Sequence, residues 1–313
     1  MEQRKVGESD LVTSEIALGS WLTYGDRVDR ETAADCVRRA YELGISLFDC
    51  ANVYGRGAAE SLLGEVLGDF PRDSYLLATK VYFPMGRGEL GLSAAQVRKQ
   101  CDESLRRFGV DHIDLYQCHR YDTRTPLEET MTALTELVAA GKIRYAGFSE
   151  WTPEQITAAF ELPGVTRFAS SQPEYSILHR APEEAVFGAC EQFGIGNIVY
   201  SPLAQGVLTG KYRAGEAPPE GSRAASRATR GSMGSYAGAE KIAKADQLRE
   251  VAAAAGLSMT QLALAWALRD PVVSATIVGA SRPEQLVESV SASGVTLDAA
   301  TLAAIDAVTG TPS

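Results

Sequence analysis

Four side chains in the first 120 residues are of types that move protons or hold charge. Asp49 and Tyr54 lie in DCANVYG, Lys80 closes LLATK, and His119 sits in DLYQCHRYD. Each has an ordinary structural reading when taken alone: a turn cap, a packed ring, a solvated rim charge, a core histidine. Each also follows an apolar, β-branched run, so all four fall where strands end. A tyrosine titrates near ~10 and is a weak acid at neutral pH. A neighbouring ammonium stabilises the phenolate and is expected to lower that value, while a carboxylate can hold the lysine in place. A histidine beside them can donate a hydrogen bond to a substrate oxygen. Together the four make a proton donor next to a site that polarises a carbonyl.

The elements that must position these residues repeat along the chain. Gly7 to Asp10 reads as the turn of an N-terminal hairpin between RKVG and LVTSEIALG, whose second strand continues or resumes at Ile16–Gly19. Short apolar runs follow at 45–48, 74–79, 112–118, 143–148, 167–170, 196–200 and 274–278. Helical patterns alternate with them at 30–44, 58–67, 94–108, 127–140, 153–160 and 182–193. Further helices read at 240–254, 259–268, 283–291 and 297–308. Ser93 and Thr152 read as N-caps, Pro153 as a first helical residue, and Gly109 and Gly141 as stops. Eight strands alternating with helices predict a parallel sheet, and the count of eight favours a closed (β/α)8 TIM barrel over an open doubly wound sheet. No Gly-x-Gly opens the first βα unit, as the open alternative would want. In such a barrel the chemistry lies on the C-terminal face, which long loops build. One of these, residues 213–239, is rich in Gly, Ala, Ser, Pro and Arg and is expected to be a surface loop or a lid.

Composition excludes several classes. The chain has 313 residues, 45% hydrophobic and 22% charged, and can bury a large core without metals or disulfides. Thirty basic against forty acidic side chains give a formal charge of −10. No nucleic-acid or membrane partner is therefore expected. No apolar run reaches transmembrane length, and MEQRKVGESDLVTSEIALGS contains no secretory pattern. The five cysteines, Cys36, Cys50, Cys101, Cys118 and Cys190, form no C-x-x-C pair and read as small buried hydrophobes in a reducing, cytoplasmic setting. No metal site is expected. The whole chain, residues 1–313, is expected to be one barrel domain, and self-association into a homo-oligomer is left open.

The stretches DCANVYGRGAAESLLGEVLG, LLATK, DLYQCHRYD, GKIRYAGFSEW and VYSPLAQGVLTGKY occur in that order and resemble the aldo-keto reductases from ALGSW to VGASRPEQLVES. The branch most similar holds the voltage-gated potassium channel β subunits and bacterial reductases of like design. The resemblance implies an NADPH-dependent reductase of aldehydes or ketones, acting on a small carbonyl compound, or on an alcohol in reverse. Tyr54 would be the general acid, Lys80 would tune it, Asp49 would anchor Lys80, and His119 would orient the carbonyl. The channel subunits carry asparagine at the position matching His119, and the chain shows no added N-terminal segment. Both features favour the enzyme over a regulatory NADP-binding subunit.

The resemblance also implies a cofactor site for NADP(H). Ser149 and Gln172 would hold the nicotinamide amide, Tyr200 would stack on its ring, and Ser20 and Trp21 would lie near it. Ser201, Pro202, Leu203, Ala204 and Gly206 would line the pyrophosphate, where backbone N–H groups can face phosphate oxygens. Lys211 would contact the pyrophosphate, and Arg223 would close over the cofactor, with Arg227 or Arg230 able to take its place. After Gly279, a helix opening at Pro283 offers free N–H groups and the positive end of a dipole. Ser281 and Gln285 match contacts to the 2′-phosphate, with Arg282 able to add charge, and Glu288 matches an adenine contact. Trp21, Tyr54, Tyr82, His119 and Tyr121 would line the substrate pocket. His112 and His179 read as structural.

Overall fold

The computed structural model describes residues 1–21, 28–225 and 230–310, the side chains of Arg230 and Ser232 apart. Strands β1 (Gln3–Lys5) and β2 (Val12–Ser14) form the expected antiparallel hairpin. The chain breaks at Glu15, whose buried carboxylate accepts from Arg4 at 2.9 Å and from the Gly294 N–H at 2.7 Å. It then resumes as β3 (Ile16–Gly19). Seven further strands follow: β4 (Leu47–Asp49), β5 (Leu76–Val81), β6 (Ile113–Cys118), β7 (Ile143–Ser149), β8 (Phe168–Gln172), β9 (Gly196–Tyr200) and β10 (Val273–Val278). Strands β3 to β10 pair in sequence, all parallel, and β10 closes on β3. The architecture is thus the closed (β/α)8 barrel that the strand count predicts.

Around it lie α1 (Arg30–Glu42), α2 (Ala58–Leu67), α3 (Ala94–Phe108), α4 (Leu127–Ala139), α5 (Pro153–Glu161), α6 (Ala181–Glu184), α7 (Val186–Gln192), α8 (Ala239–Ala254), α9 (Met259–Ala267), α10 (Pro283–Val290) and α11 (Ala299–Thr309). Ser93 and Thr152 cap α3 and α5 as expected, and Thr152 forms a full capping box with Gln155. The single helix read at 182–193 is two, broken at Ala185 (φ −125°, ψ −66°). Residues 72–74, read partly as strand, form a 3₁₀ turn, and β5 runs on through Lys80 to Val81. Inside the loop read at 213–239, Arg230–Ala237 forms a 3₁₀ run. Gly86 to Gly91 spells G-x-G-x-x-G but lies in a loop tied to Asp122, whose Oδ2 accepts from the Leu92 N–H at 2.8 Å.

Two apolar layers result from the alternation of each strand. One face packs outward beneath the helices, with Phe48, Leu77, Tyr116 and Phe148 in it. The inner face stacks Ala17, Leu47, Ala78, Leu115, Ile198 and Ala275, and the hairpin adds Val6 and Leu11 to that inner cluster. All five cysteines are buried and free. Buried Asp114 fixes the lower register of neighbouring strands: it accepts from the Leu77 N–H at 2.9 Å, Arg72 at 2.5 Å and Arg144 at 3.1 Å. No helix among the described residues is long and apolar enough to cross a membrane.

Helices α2 and α3 approach most closely at Gly64, where an added Cβ would lie 2.2 Å from the Phe108 carbonyl oxygen. Gly64→Ala is therefore expected to destabilise the fold by about 2 kcal/mol through overpacking, despite its better helix propensity. Urea unfolding monitored by circular dichroism measures this, and an unchanged midpoint would contradict the close contact.

Candidate functional site

Two residues beyond the inner apolar layer, the same inward positions become polar. Leu47 gives way to Asp49, Ala78 to Lys80, Leu115 to Gln117, and Ile198 to Tyr200. The strand register aligns them: Asp49 sits opposite Ala78, Lys80 opposite Gln117, and Ser149 opposite Gln172. The site is therefore the upper continuation of the barrel core, and the side-chain alternation of each strand points these groups inward.

At its base Lys80 Nζ lies 2.6 Å from Asp49 Oδ2 and donates to the Cys50 carbonyl at 2.7 Å. Only 1% of the lysine side chain and 6% of the aspartate side chain are exposed, so neither charge can rely on water. The second carboxylate oxygen of Asp49 accepts from Gln172 Nε2 at 2.9 Å, and Ser20 Oγ donates to the Asp49 carbonyl at 3.0 Å.

Tyr54 does not sit on a strand. It opens a turn in which Gly55, Arg56 and Gly57 take φ values of 54°, 52° and 91° in succession, and α2 starts immediately after. Glycine at two of the three positions makes this left-handed run accessible. A Cβ at Gly57 would also lie 2.6 Å from the Arg107 side chain. The turn brings the Tyr54 ring back over the ion pair, with Lys80 Nζ 5.4 Å from its centroid. His119 stands edge-on to that ring at 5.9 Å and edge-on to Phe83 at 4.9 Å.

Electrostatics differ from the sequence expectation at Tyr54. Burial, and then the Asp49 carboxylate and Cys50, push its phenol well above the usual tyrosine range, whereas an ammonium neighbour was expected to lower it. The reason is that Lys80 is engaged by Asp49 at 2.6 Å, so the pair presents little net positive charge to the ring. Burial, followed by the charges of Lys80 and Arg120, holds His119 well below the usual histidine range. The imidazole is thus neutral at neutral pH, and its buried Nδ1 has no hydrogen-bond partner among the described residues. The arrangement keeps a protonated phenol and a neutral imidazole side by side, a hydroxyl that can give a proton next to a ring that can donate a hydrogen bond.

Beside this centre lies a second cluster. Ser149 Oγ donates to the Gln172 carbonyl at 2.8 Å, and both residues are buried. Tyr200 ends β9, and the chain then takes positive φ at Ser201, Ala204, Gln205 and Gly206. Three of these are not glycine, and non-glycine residues held at such φ values are strained and cluster at active sites and ligand clamps. Pro202 and Ala204 are buried and Leu203 is partly so. Gln205 donates to Ser201 Oγ at 2.6 Å and accepts from Arg223. Lys211 reaches back toward Gly206, and its ammonium is held below the usual lysine range by partial desolvation and by the like charges of Arg223 and Arg282. Lys211, Arg223 and Arg282 thus lie within electrostatic reach of one another, in a chain of charge −10. Past exposed Gly279, the Ser281 N–H and Oγ both bond Gln285 Oε1, at 2.8 and 3.3 Å. Glu288 accepts from Ser258 at 3.0 Å.

The remaining aromatic positions lie around this centre. Trp21 is 43% exposed at the top of β3. Tyr82 packs edge-on to Phe83 at 5.2 Å, and Tyr121 edge-on to Trp151 at 4.9 Å within an aromatic cluster with Phe148 and Phe168. The ring that joins His119 is Phe83, which the sequence reading passed over in VYF. Gln117 and Arg120 were also missed, although both adjoin named residues in LYQCHR, and alternation with Leu115 and His119 marks Gln117 as inward. Arg227 lies outside the described residues.

A closed parallel barrel with its ionisable groups gathered at the C-terminal rim defines the class of protein. The Aldo/keto reductase family model matches residues 15–309, and the chain belongs to that family. It is 37% identical to the putative voltage-gated potassium channel subunit beta of Schizosaccharomyces pombe over 92% of this chain and 87% of that protein. It is 36% identical to the L-glyceraldehyde 3-phosphate reductase of Escherichia coli O157:H7 over 98% of this chain and 92% of that protein. Identity to the probable voltage-gated potassium channel subunit beta of Arabidopsis thaliana is 33%, over 93% of this chain and 91% of that protein.

The base of the site is exposed to one clear test. Lys80→Met leaves the buried Asp49 carboxylate unpaired and is expected to cost about 3 kcal/mol or more. The double variant Asp49→Asn/Lys80→Met should recover much of that loss. Equal loss in single and double variants under denaturant would show that the pair is not coupled.

Proposed function

We propose that this chain, as one barrel domain, is an NADPH-dependent oxidoreductase that reduces an aldehyde or ketone to an alcohol. The observation that carries the reading is the meeting of Tyr54, still protonated, with neutral His119 above the Lys80–Asp49 pair, next to a cluster of three cations. The residues present suit the cofactor. The left-handed run at Ser201–Gly206 and the cations Lys211, Arg223 and Arg282 match a pyrophosphate and a 2′-phosphate. Buried Ser149 and Gln172 match a carboxamide, and Tyr200 offers a flat ring at a strand end. When bound, the nicotinamide supplies the hydride.

The residues of this chain then have the following roles. His119 donates a hydrogen bond to the carbonyl oxygen and fixes its direction. Tyr54 gives its hydroxyl proton to that oxygen as negative charge develops there, since an alkoxide is a stronger base than a phenolate. Asp49 keeps Lys80 in place, and the pair holds the floor beneath the Tyr54 ring. Ser281, Gln285 and Arg282 bind the 2′-phosphate, the feature that separates NADPH from NADH. Glu288 reaches the adenine. Ser20 supports Asp49 from beneath.

A second reading is a regulatory NADP-binding subunit, favoured by the relatives named as potassium channel β subunits. Slow cofactor release with negligible turnover across a panel of carbonyl compounds would select it. Rates faster for alcohol oxidation than for carbonyl reduction would select a dehydrogenase.

Tyr54→Phe is expected to lower kcat by about 10³-fold while NADPH still binds, as followed by cofactor fluorescence. Wild-type rates in that variant would remove the proton-donor assignment. The directions at Tyr54 and His119 also fix the pH profile. A raised phenol keeps its proton, and a lowered imidazole stays neutral, so kcat/KM for reduction should be flat from about pH 6 to about pH 9. An inflection near the ordinary histidine value would show that His119 titrates freely.

A further inference from the structure

We propose that Arg120 reads an anionic group on the substrate, a carboxylate or a phosphate, so that the site prefers negatively charged carbonyl compounds over neutral ones. The inference rests on the reductase reading and deepens it.

Arg120 directly follows His119 at the end of β6 and is partly buried. Its guanidinium lies against His119, Ser149 and Phe83. Nη1 donates to the His119 carbonyl at 2.5 Å and to Ser149 Oγ at 3.3 Å, and the group lies 5.8 Å from the Phe83 ring centroid. It is close enough to oppose the rise in the Tyr54 and Tyr200 phenols and to add to the fall at His119. The cation is thus within electrostatic reach of the proton donor, the carbonyl-orienting imidazole and the ring at the end of β9.

Its own needs are only half met. Among the described residues no carboxylate lies within salt-bridge distance of Arg120, and its protein hydrogen bonds come from Nη1 alone. Asp122, two residues on, is engaged by Arg124, Thr125 and the Leu92 N–H. Among the described residues the Nε and Nη2 edge has no partner, which leaves it available to a ligand. That edge is a planar fork whose geometry matches two oxygens of a carboxylate or phosphate. The Nη1 bonds, with Phe83 beside the group, orient the fork in advance, which lowers the entropy lost when an anion docks. A cation this close to the reacting group is also costly to leave unpaired, and a neutral substrate would leave it so.

The test separates binding from turnover. Benzoate, phenyl phosphate and benzamide share a ring, and none can be reduced here as a carbonyl substrate. Their affinities for the purified protein saturated with NADP, which fills the phosphate sites at Lys211, Arg223 and Arg282, are measured by saturation-transfer NMR, for wild type, Arg120→Met and Arg120→Lys. Wild type should bind benzoate or phenyl phosphate at least ~10-fold more tightly than benzamide, and Arg120→Met should abolish that preference. Arg120→Lys should keep part of it, as a point charge without the fork. Whichever anion binds more tightly identifies carboxylate or phosphate as the recognised group. Equal affinity for anion and amide in wild type, or a preference unchanged in Arg120→Met, would overturn the proposal. Reduction of neutral 4-methylbenzaldehyde by wild type with NADPH reports on the reductase reading by itself, so its failure is told apart from failure at Arg120.

Discussion

The 2.6 Å contact between Lys80 and Asp49 is the constraint on which the rest of the structure depends. Two opposite charges lie where water scarcely reaches, and each would be costly there without its partner. Holding them together needs β4 and β5 in register, the Cys50 carbonyl turned toward the ammonium, and Gln172 delivered from the far side of the barrel. Only a closed ring of strands brings β4 and β8 to the same point. Outside the ring, Thr79 donates to buried Glu60 at 2.6 Å, and Arg107 pairs with the same carboxylate at 2.5 Å. These bonds tie β5 to α2 and α3, so the lysine is positioned from both faces of its strand.

From that base the chemistry of the rim follows. Because its ring is buried beside the Asp49 carboxylate, Tyr54 stays a protonated phenol, and because His119 is buried beside cations, it stays neutral. Each group is thereby kept in the form that donates. The acidic chain meanwhile gathers Lys211, Arg223 and Arg282 around the strained loop after β9. Net charge describes the outer surface, and the local field at the rim has the opposite sign.

Much of this was legible in the sequence. The repeat of strands and helices gave the barrel, and the four strand-end residues are brought together as their spacing suggested. Boundaries were less legible where tertiary contacts override local pattern. Glu15 interrupts an apolar run because Arg4 and Gly294 claim its carboxylate, and β5 extends through Lys80 because its partner strand continues beside it. The rise at Tyr54 was unreadable, because it comes first from burial of the ring and then from the Asp49 carboxylate, neither of which the spacing shows. Phe83, Gln117 and Arg120 carry no motif of their own. Their importance comes from direction, which alternation along a strand reveals only once the inward face is known.

The central claim is that the carbonyl carbon takes its hydride from the nicotinamide while Tyr54 supplies only the proton on oxygen. Reduction of an aldehyde with NADPH deuterated at nicotinamide C4, analysed by mass spectrometry and NMR of the alcohol, tests it most directly. The account predicts deuterium on the carbinol carbon from the labelled cofactor, and none there when unlabelled NADPH is used in deuterated water. Solvent deuterium on that carbon, or an unlabelled alcohol from cofactor labelled on both faces, would contradict it.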